Sequence, residues 1–237
     1  MSAEPERMAI HHTHRDVTGG WLRPAVFGMT DGLVSNFALI AGVTGGGVAH
    51  RTVVLTGFAG LVAGAFSMAT GEYVSVTSQA ELTEAEIAVE KAELQRSPAA
   101  EEAELAAMYR ARGLDPELAA RVASQLSANP EQAWRVHARE ELGVDPDDLP
   151  SGWTAALSSF LAFAVGAVIP LLPYLLGVTT IAWAMAFSGL ALFVAGALVA
   201  TMTSRNPVYG GGRQLLLGGL SAAVTFGIGA LIGTGVG

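Results

Sequence analysis

The strongest constraint on what this chain can fold into is a set of apolar runs, each about as long as the 20 or so residues a helix needs to cross a bilayer. Three of them, about Trp153 to Leu176, Thr179 to Met202 and Gln214 to Val236, contain no charged residue. Two more lie nearer the N-terminus, from Trp21 to Val43 and from about Thr52 to Ser78. Backbone in lipid must satisfy its own hydrogen bonds, which leaves helices or closed barrels, and continuous apolar runs of this length select helices. The expected fold is therefore all-α and polytopic, with five transmembrane helices. An odd number of spans puts the termini on opposite sides. The first twenty residues are polar and lack the apolar segment of a signal peptide.

Charge is scarce and segregated. Only 14% of the 237 residues are charged, against about 25% in an ordinary soluble domain. Between Gln79 and Pro150 there are 16 acids and seven bases, so the formal net charge of −8 belongs to this one segment. An acidic surface draws cations and repels nucleic acid, so no nucleic-acid partner is expected. With no cysteine in the chain, disulfides and thiolate metal sites are excluded.

The chain divides into an N-terminal segment (1–20), two spans (21–78), an acidic helical segment (79–150) and three further spans (151–237). The N-terminal segment holds His11, His12 and His14 and reads as a mobile, solvated arm, the histidines at most a weak attraction for metal. No helix breaker follows the second span. The residues up to Arg96 are good helix formers, which predicts one long helix that leaves the membrane and projects about 25 Å at 1.5 Å per residue. Three pairs, Ser97-Pro98, Asp115-Pro116 and Asn129-Pro130, each combine a capping residue with proline at the first helical position. They predict helices from Pro98 to Arg112, Pro116 to Ala128 and Pro130 to Leu142, the first ended by Gly113 and the last by Gly143. The glycine cluster at residues 210 to 213 reads as a hinge between spans.

Basic residues favour the cytoplasmic side. Arg7, Arg15 and Arg23 precede the first span, seven bases lie in the acidic segment, and Arg205 and Arg213 flank the start of the last span, with Arg51 alone on the other side. The N-terminus and the acidic domain are expected in the cytoplasm and the C-terminus outside. Pairs of glycines four apart, such as Gly28 with Gly32 and Gly60 with Gly64, predict close helix packing in a tight bundle or a dimer.

Two ionisable residues lie well inside a span, Asp31 and Glu72. A charged side chain there costs about 3 kcal/mol on insertion scales, which makes it a functional-site hypothesis. Counted from the cytoplasmic face, Asp31 and Met68 fall at about 15 Å and Glu72 at about 9 Å, and Met68 and Glu72 share a helical face. Carboxylate with thioether suits a borderline transition metal such as Fe2+ better than magnesium or calcium. In the acidic segment Glu90 and Glu93 form one pair three apart and Glu101 and Glu104 another, on either side of the Ser97-Pro98 turn, so their faces can fold together. His137, Glu140 and Glu141 follow on the third short helix, with His137 and Glu141 four apart. The alternative for these glutamates is solvated surface, since Glu81, Glu84, Glu86 and Glu102 show a segment rich in acid throughout. No serine-nucleophile elbow, phosphate-binding loop, HExxH motif or cysteine nucleophile occurs, so no catalytic residues and no enzymatic activity are expected.

The run FGMTDGLVSNFALIAGV, then SMATGEYVSVTSQAE, an acidic helical insert and ALSSFLAFAVGAVIPLLPYL resemble, in that order, the vacuolar iron transporter family in its bacterial form. The resemblance implies five transmembrane helices, a homodimer with the transport path at the subunit interface, and exchange of Fe2+, and sometimes Mn2+, for protons. It aligns Asp31 and Met68 with the family's pore residues. It also aligns Glu90, Glu93, Glu101, Glu104 and Glu141 with its cytoplasmic metal-binding glutamates. Two positions depart from the pattern. Gly60 stands where plant-type members carry an acid, with Glu72 one turn after Met68 instead, and His137 is the nearest donor where the family has a methionine. The resulting expectation is a divalent-metal exporter of a bacterial cell membrane, with metal, protons, lipid and a second copy as partners and no prosthetic group. The acidic domain captures metal, and Asp31, Met68 and Glu72 pass it across the membrane. The alternatives are a membrane-anchored iron-storage or ferroxidase protein and a metal-regulated scaffold that binds without flux.

Overall fold

In the computed structural model residues 20–235 are described, so His11, His12, His14, Arg7, Arg15 and the last residue of the expected fifth span lie outside the described residues. The described residues form eight helices and no strand. They are α1 (Leu22–Gly45), α2 (His50–Arg96), α3 (Pro98–Ala111), α4 (Pro116–Ser127), α5 (Pro130–Glu140), α6 (Gly152–Leu175), α7 (Ile181–Met202) and α8 (Pro207–Gly235). Five of these, α1, α2, α6, α7 and α8, are long and apolar enough to cross a membrane.

Helix α2 is a single unbroken helix of 47 residues, about 70 Å long at 1.5 Å per residue. Its first part belongs to the apolar bundle and its last part carries the acidic segment. Ser97 is both the last cap of α2, its amide donating to the Glu93 carbonyl, and the residue before Pro98 of α3, and its side chain makes no cap hydrogen bond. The chain therefore turns on one residue. The other two starts are capped as their sequences predict. The Asp115 carboxylate accepts from the amides of Glu117 and Leu118, and the Asn129 side-chain oxygen accepts from the Glu131 amide. Gly113 and Gly143 follow α3 and α5 with φ of +95° and +66°, values that glycine adopts without steric cost.

Helix α1 is the centre of the bundle and packs against α6, α8, α2 and α7. Leu33, Phe37 and Ala41 of α1 bury against Leu192 of α7 and Ala222 of α8, while Ile40 meets Val53, Leu171, Tyr174 and Ala184 from α2, α6 and α7. The closest crossing is α1 on α6. A Cβ on Gly28 would stand 2.6 Å from the Ser159 carbonyl oxygen, and one on Gly32 would collide with the Phe163 carbonyl. The backbones touch because these positions have no side chain.

Helix α8 begins earlier than its apolar run predicts. Asn206 accepts from the amides of Val208 and Tyr209, Pro207 takes the first helical position, and the glycines at 210 to 212 lie inside the helix and form no hinge. The physical reason is packing on α7: a Cβ on Gly210 would be 2.5 Å from that of Ala200 and 2.6 Å from the Gly196 carbonyl. Among the described residues α3 and α5 contact α2, α4 packs only on α3 and α5, and none of the three touches another helix. Gly20 and Pro150 lie close together, so the start of α1 and the base of the acidic segment share one end of the bundle. The last turns of α8 lie beside the α1–α2 turn, where a Cβ on Gly233 would meet the Gly46 carbonyl at 2.6 Å. The described chain thus starts and finishes at opposite ends.

Candidate functional site

Two groups of polar side chains lie along α2, one in the acidic segment and one in the bundle. In the first, Glu90 of α2, Glu101 of α3, His137 of α5 and Glu141 just beyond it converge, and one ligand atom from each lies within 4.8 Å of the others. His137 is at the centre and fully buried. Its Nδ1 lies 2.7 Å from Glu141 Oε1, 3.0 Å from Glu90 Oε1 and 3.9 Å from Glu101 Oε2. An imidazole nitrogen can donate one proton to one acceptor. Three carboxylates around it therefore hold more negative charge than it can neutralise. Nε2 of the same ring is buried with no hydrogen-bond partner among the described residues.

This crowding has an electrostatic signature. Burial pushes the Glu90 carboxyl up to about 7, and Glu141, Glu101 and Glu93 add to the rise while His137 opposes it. Burial first, and then Glu104, raises Glu101 in the same direction. A divalent cation among these groups would remove both causes at once, supplying charge and ligation to carboxylates that the fold has dehydrated.

The folding that builds the group is local. Lys91 sets its ammonium 3.7 Å over the Trp134 ring and pins α5 to α2. Ala119, Ala123, Ala133 and Ala138 are buried between the short helices, where small side chains allow close approach. Glu140 is engaged elsewhere. Its carboxylate accepts from Arg112 and, at 3.1 Å, from the Tyr109 hydroxyl, which ties α5 to α3. Glu93 pairs with Arg96 at 3.4 Å with its side chain 42% exposed, and Glu104 is exposed. Those two stand at the rim and reach the group through their charge.

The second group lines a groove of about 280 Å³ between α1 and α2, where Asp31 and Ser35 face Ser67 and Met68, with Asn36, Gly60 and Gly64 beside them. Asp31 and Met68 thus share one wall-to-wall space, as their depths predict. Glu72 does not line it. Its buried carboxylate lies one turn toward the acidic segment, with Oε2 3.7 Å from an Arg23 guanidinium at the start of α1. Asn36 was not among the residues that the sequence singled out. Its signal is the same as that of Asp31 in weaker form, a polar side chain in an apolar span.

The chain matches the model of the VIT family over residues 22–230. It is 37% identical over 222 residues to a vacuolar iron transporter of Acanthamoeba castellanii, covering 90% of this chain and 79% of that protein. It is 31% identical over 233 residues to vacuolar iron transporter 1 of Arabidopsis thaliana, with 95% and 93% covered. Vacuolar iron transporter 2 of Oryza sativa subsp. japonica is 32% identical over 231 residues, with 95% and 94% covered. These relatives are named as transporters and none as an enzyme, in keeping with the lack of a catalytic motif. The alignments span both the apolar helices and the acidic segment, and the chain belongs to the VIT family.

Proposed function

We propose that this protein is an integral membrane transporter of ferrous iron, and also of manganese, that moves metal out of the cytoplasm in exchange for protons. The observation that carries the reading is α2 itself. One rigid helix holds Glu90 of the buried carboxylate–imidazole group at one end and Met68, facing Asp31, inside the bundle. The relatives' names supply iron as the cargo. Carboxylate, imidazole and thioether together fit a borderline divalent transition metal, which supports iron and manganese over calcium.

Residues 79–150 are the cytoplasmic domain in this reading, and Glu90, Glu101, His137 and Glu141 take the cation there, with Glu93 and Glu104 drawing it in from the rim. Arg23, Arg205 and Arg213 lie at the end of the bundle shared with this domain and Arg51 at the other, a distribution that supports a cytoplasmic domain and an outer C-terminus. Glu72 relays the ion from the domain to Asp31 and Met68. Protons enter from outside and compete for the same carboxylates, which releases the metal. The groove is open along one side, where its lining residues Ser35, Leu39 and Ser67 are exposed. A second copy packed there would close the open side of the groove, which supports a homodimer.

Proteoliposomes with an imposed pH gradient test this directly. Fe2+ should accumulate in vesicles whose lumen is more acidic than the bath, and collapse of the gradient should stop it. Metal binding without gradient-driven accumulation would refute the exchange mechanism.

A further inference from the structure

The membrane groove holds an oxygen that the chain leaves without a partner. Asn36 of α1 is 2% exposed, and its side-chain nitrogen donates to the Ala167 carbonyl of α6 at 2.6 Å. A carbonyl only accepts, so this bond fixes which end of the amide carries hydrogen and turns Oδ1 the other way, toward α2. There a Cβ on Gly60 would stand 2.8 Å from Oδ1, on the wall of the groove shared with Asp31 and Met68. No donor among the described residues reaches this oxygen. A buried acceptor left unmade costs about 1–3 kcal/mol, a cost that leucine, of nearly the same shape, would not incur.

We propose that Asn36 Oδ1 is an uncharged oxygen ligand for the translocated divalent cation, meeting it with Asp31 and Met68 as it passes along the groove. The inference rests on the reading of that groove as the transport path. An ion leaving water for a groove must exchange hydration oxygens for protein oxygens. An amide carbonyl supplies one without adding negative charge. With one carboxylate the groove neutralises half of a divalent cation's charge, and a neutral oxygen completes the contact without turning a passage into a trap; conduction requires sites weak enough to leave. Gly60 belongs to the same arrangement, since a side chain there would fill the space that Oδ1 faces.

The test uses the full chain in proteoliposomes carrying Asn36→Leu or Gly60→Ala, with Fe2+ and Mn2+ as probes. The first variant removes the oxygen, together with the nitrogen that bonds the Ala167 carbonyl, and keeps the volume. The second leaves Asn36 in place and sets a methyl group from the opposite helix against Oδ1 and against the movable end of the Leu39 side chain. Loss of one ligand oxygen in a dry site should lower the maximal flux of Asn36→Leu by roughly tenfold or more. Its melting temperature should change little, because the unsatisfied oxygen and the bond from the amide nitrogen to Ala167 are lost together, and metal binding at the acidic group should be unchanged. Gly60→Ala should lose roughly threefold or more in flux by crowding the same oxygen. Flux of Asn36→Leu within about twofold of the parent overturns the proposal. So does a loss of flux that comes with a lower melting temperature and an unaffected Gly60→Ala, which is the behaviour of a packing residue. Parent protein that moves no metal removes the transport reading and this proposal together. Parent flux with an unaffected Asn36→Leu removes this proposal alone.

Discussion

The acidic group and the membrane groove place the same kinds of ligand in opposite arrangements. Around His137 three carboxylates are packed within 4.8 Å of one another, Glu90 and Glu101 buried and Glu141 exposed, pre-assembled at the cost of mutual repulsion. In the groove one carboxylate, one thioether and one amide oxygen line an open-sided space. Under the proposed function the difference follows from their tasks. A capture site has to win the ion from water and gains from many charges that only a cation relieves. A passage has to let the ion go, and sparse ligands on two helices do so. Among the described residues α3, α4 and α5 contact only α2 and one another, which in the proposed reading lets the acidic group load without repacking the bundle.

The comparison breaks most visibly at Asp31. Asp31→Ala removes the only carboxylate among the groove residues, and we expect metal flux to fall by roughly a hundredfold while titration of the acidic group is unchanged; a carboxylate–cation contact away from water has that order of effect. Loss of binding along with flux would show that the two regions are not separate sites. The next effect is at Glu90. Glu90→Gln keeps the shape and removes a ligand charge, and calorimetric titration of Fe2+ or Mn2+ should give a Kd raised by roughly ten- to a hundredfold.

A smaller effect, and one with a definite sign, comes from pH. The Glu90 carboxyl in the folded protein is pushed up to about 7, above its ordinary value of 4.5. The metal takes the carboxylate, so affinity at the acidic group should be full above about 7 and should decline as pH falls through it, by at most about tenfold per unit for one proton. The metal-free fold should respond in the opposite direction. A raised carboxyl binds its proton more tightly folded than unfolded, so stability should rise as pH falls from about 7 toward 4.5. Melting curves and titrations at matched pH check both signs.

The sequence carried the long α2, because nothing after Ser78 breaks a helix, and it carried the three helix starts through cap and proline pairs. His137 with Glu141 was legible from spacing, and so was the shared depth of Asp31 and Met68. What was not legible depends on partners far along the chain. Glu140 looks like a metal ligand beside Glu141, yet Tyr109 of α3 and Arg112 just after it claim it. Glycines at 210 to 212 look like a hinge until Gly196 and Ala200 of α7 are placed against them. Asn36 becomes notable only once its amide is held by Ala167, 131 residues away, with its oxygen left over.

In the proposed function, capture at the acidic group and passage through the groove are separate steps in series. The most direct measurement is Fe2+ flux against Fe2+ concentration for the parent and Glu90→Gln in proteoliposomes. Impaired capture should raise the half-saturating concentration and leave the plateau intact. A plateau that falls with half-saturation unchanged would place Glu90 in the passage itself and contradict the account.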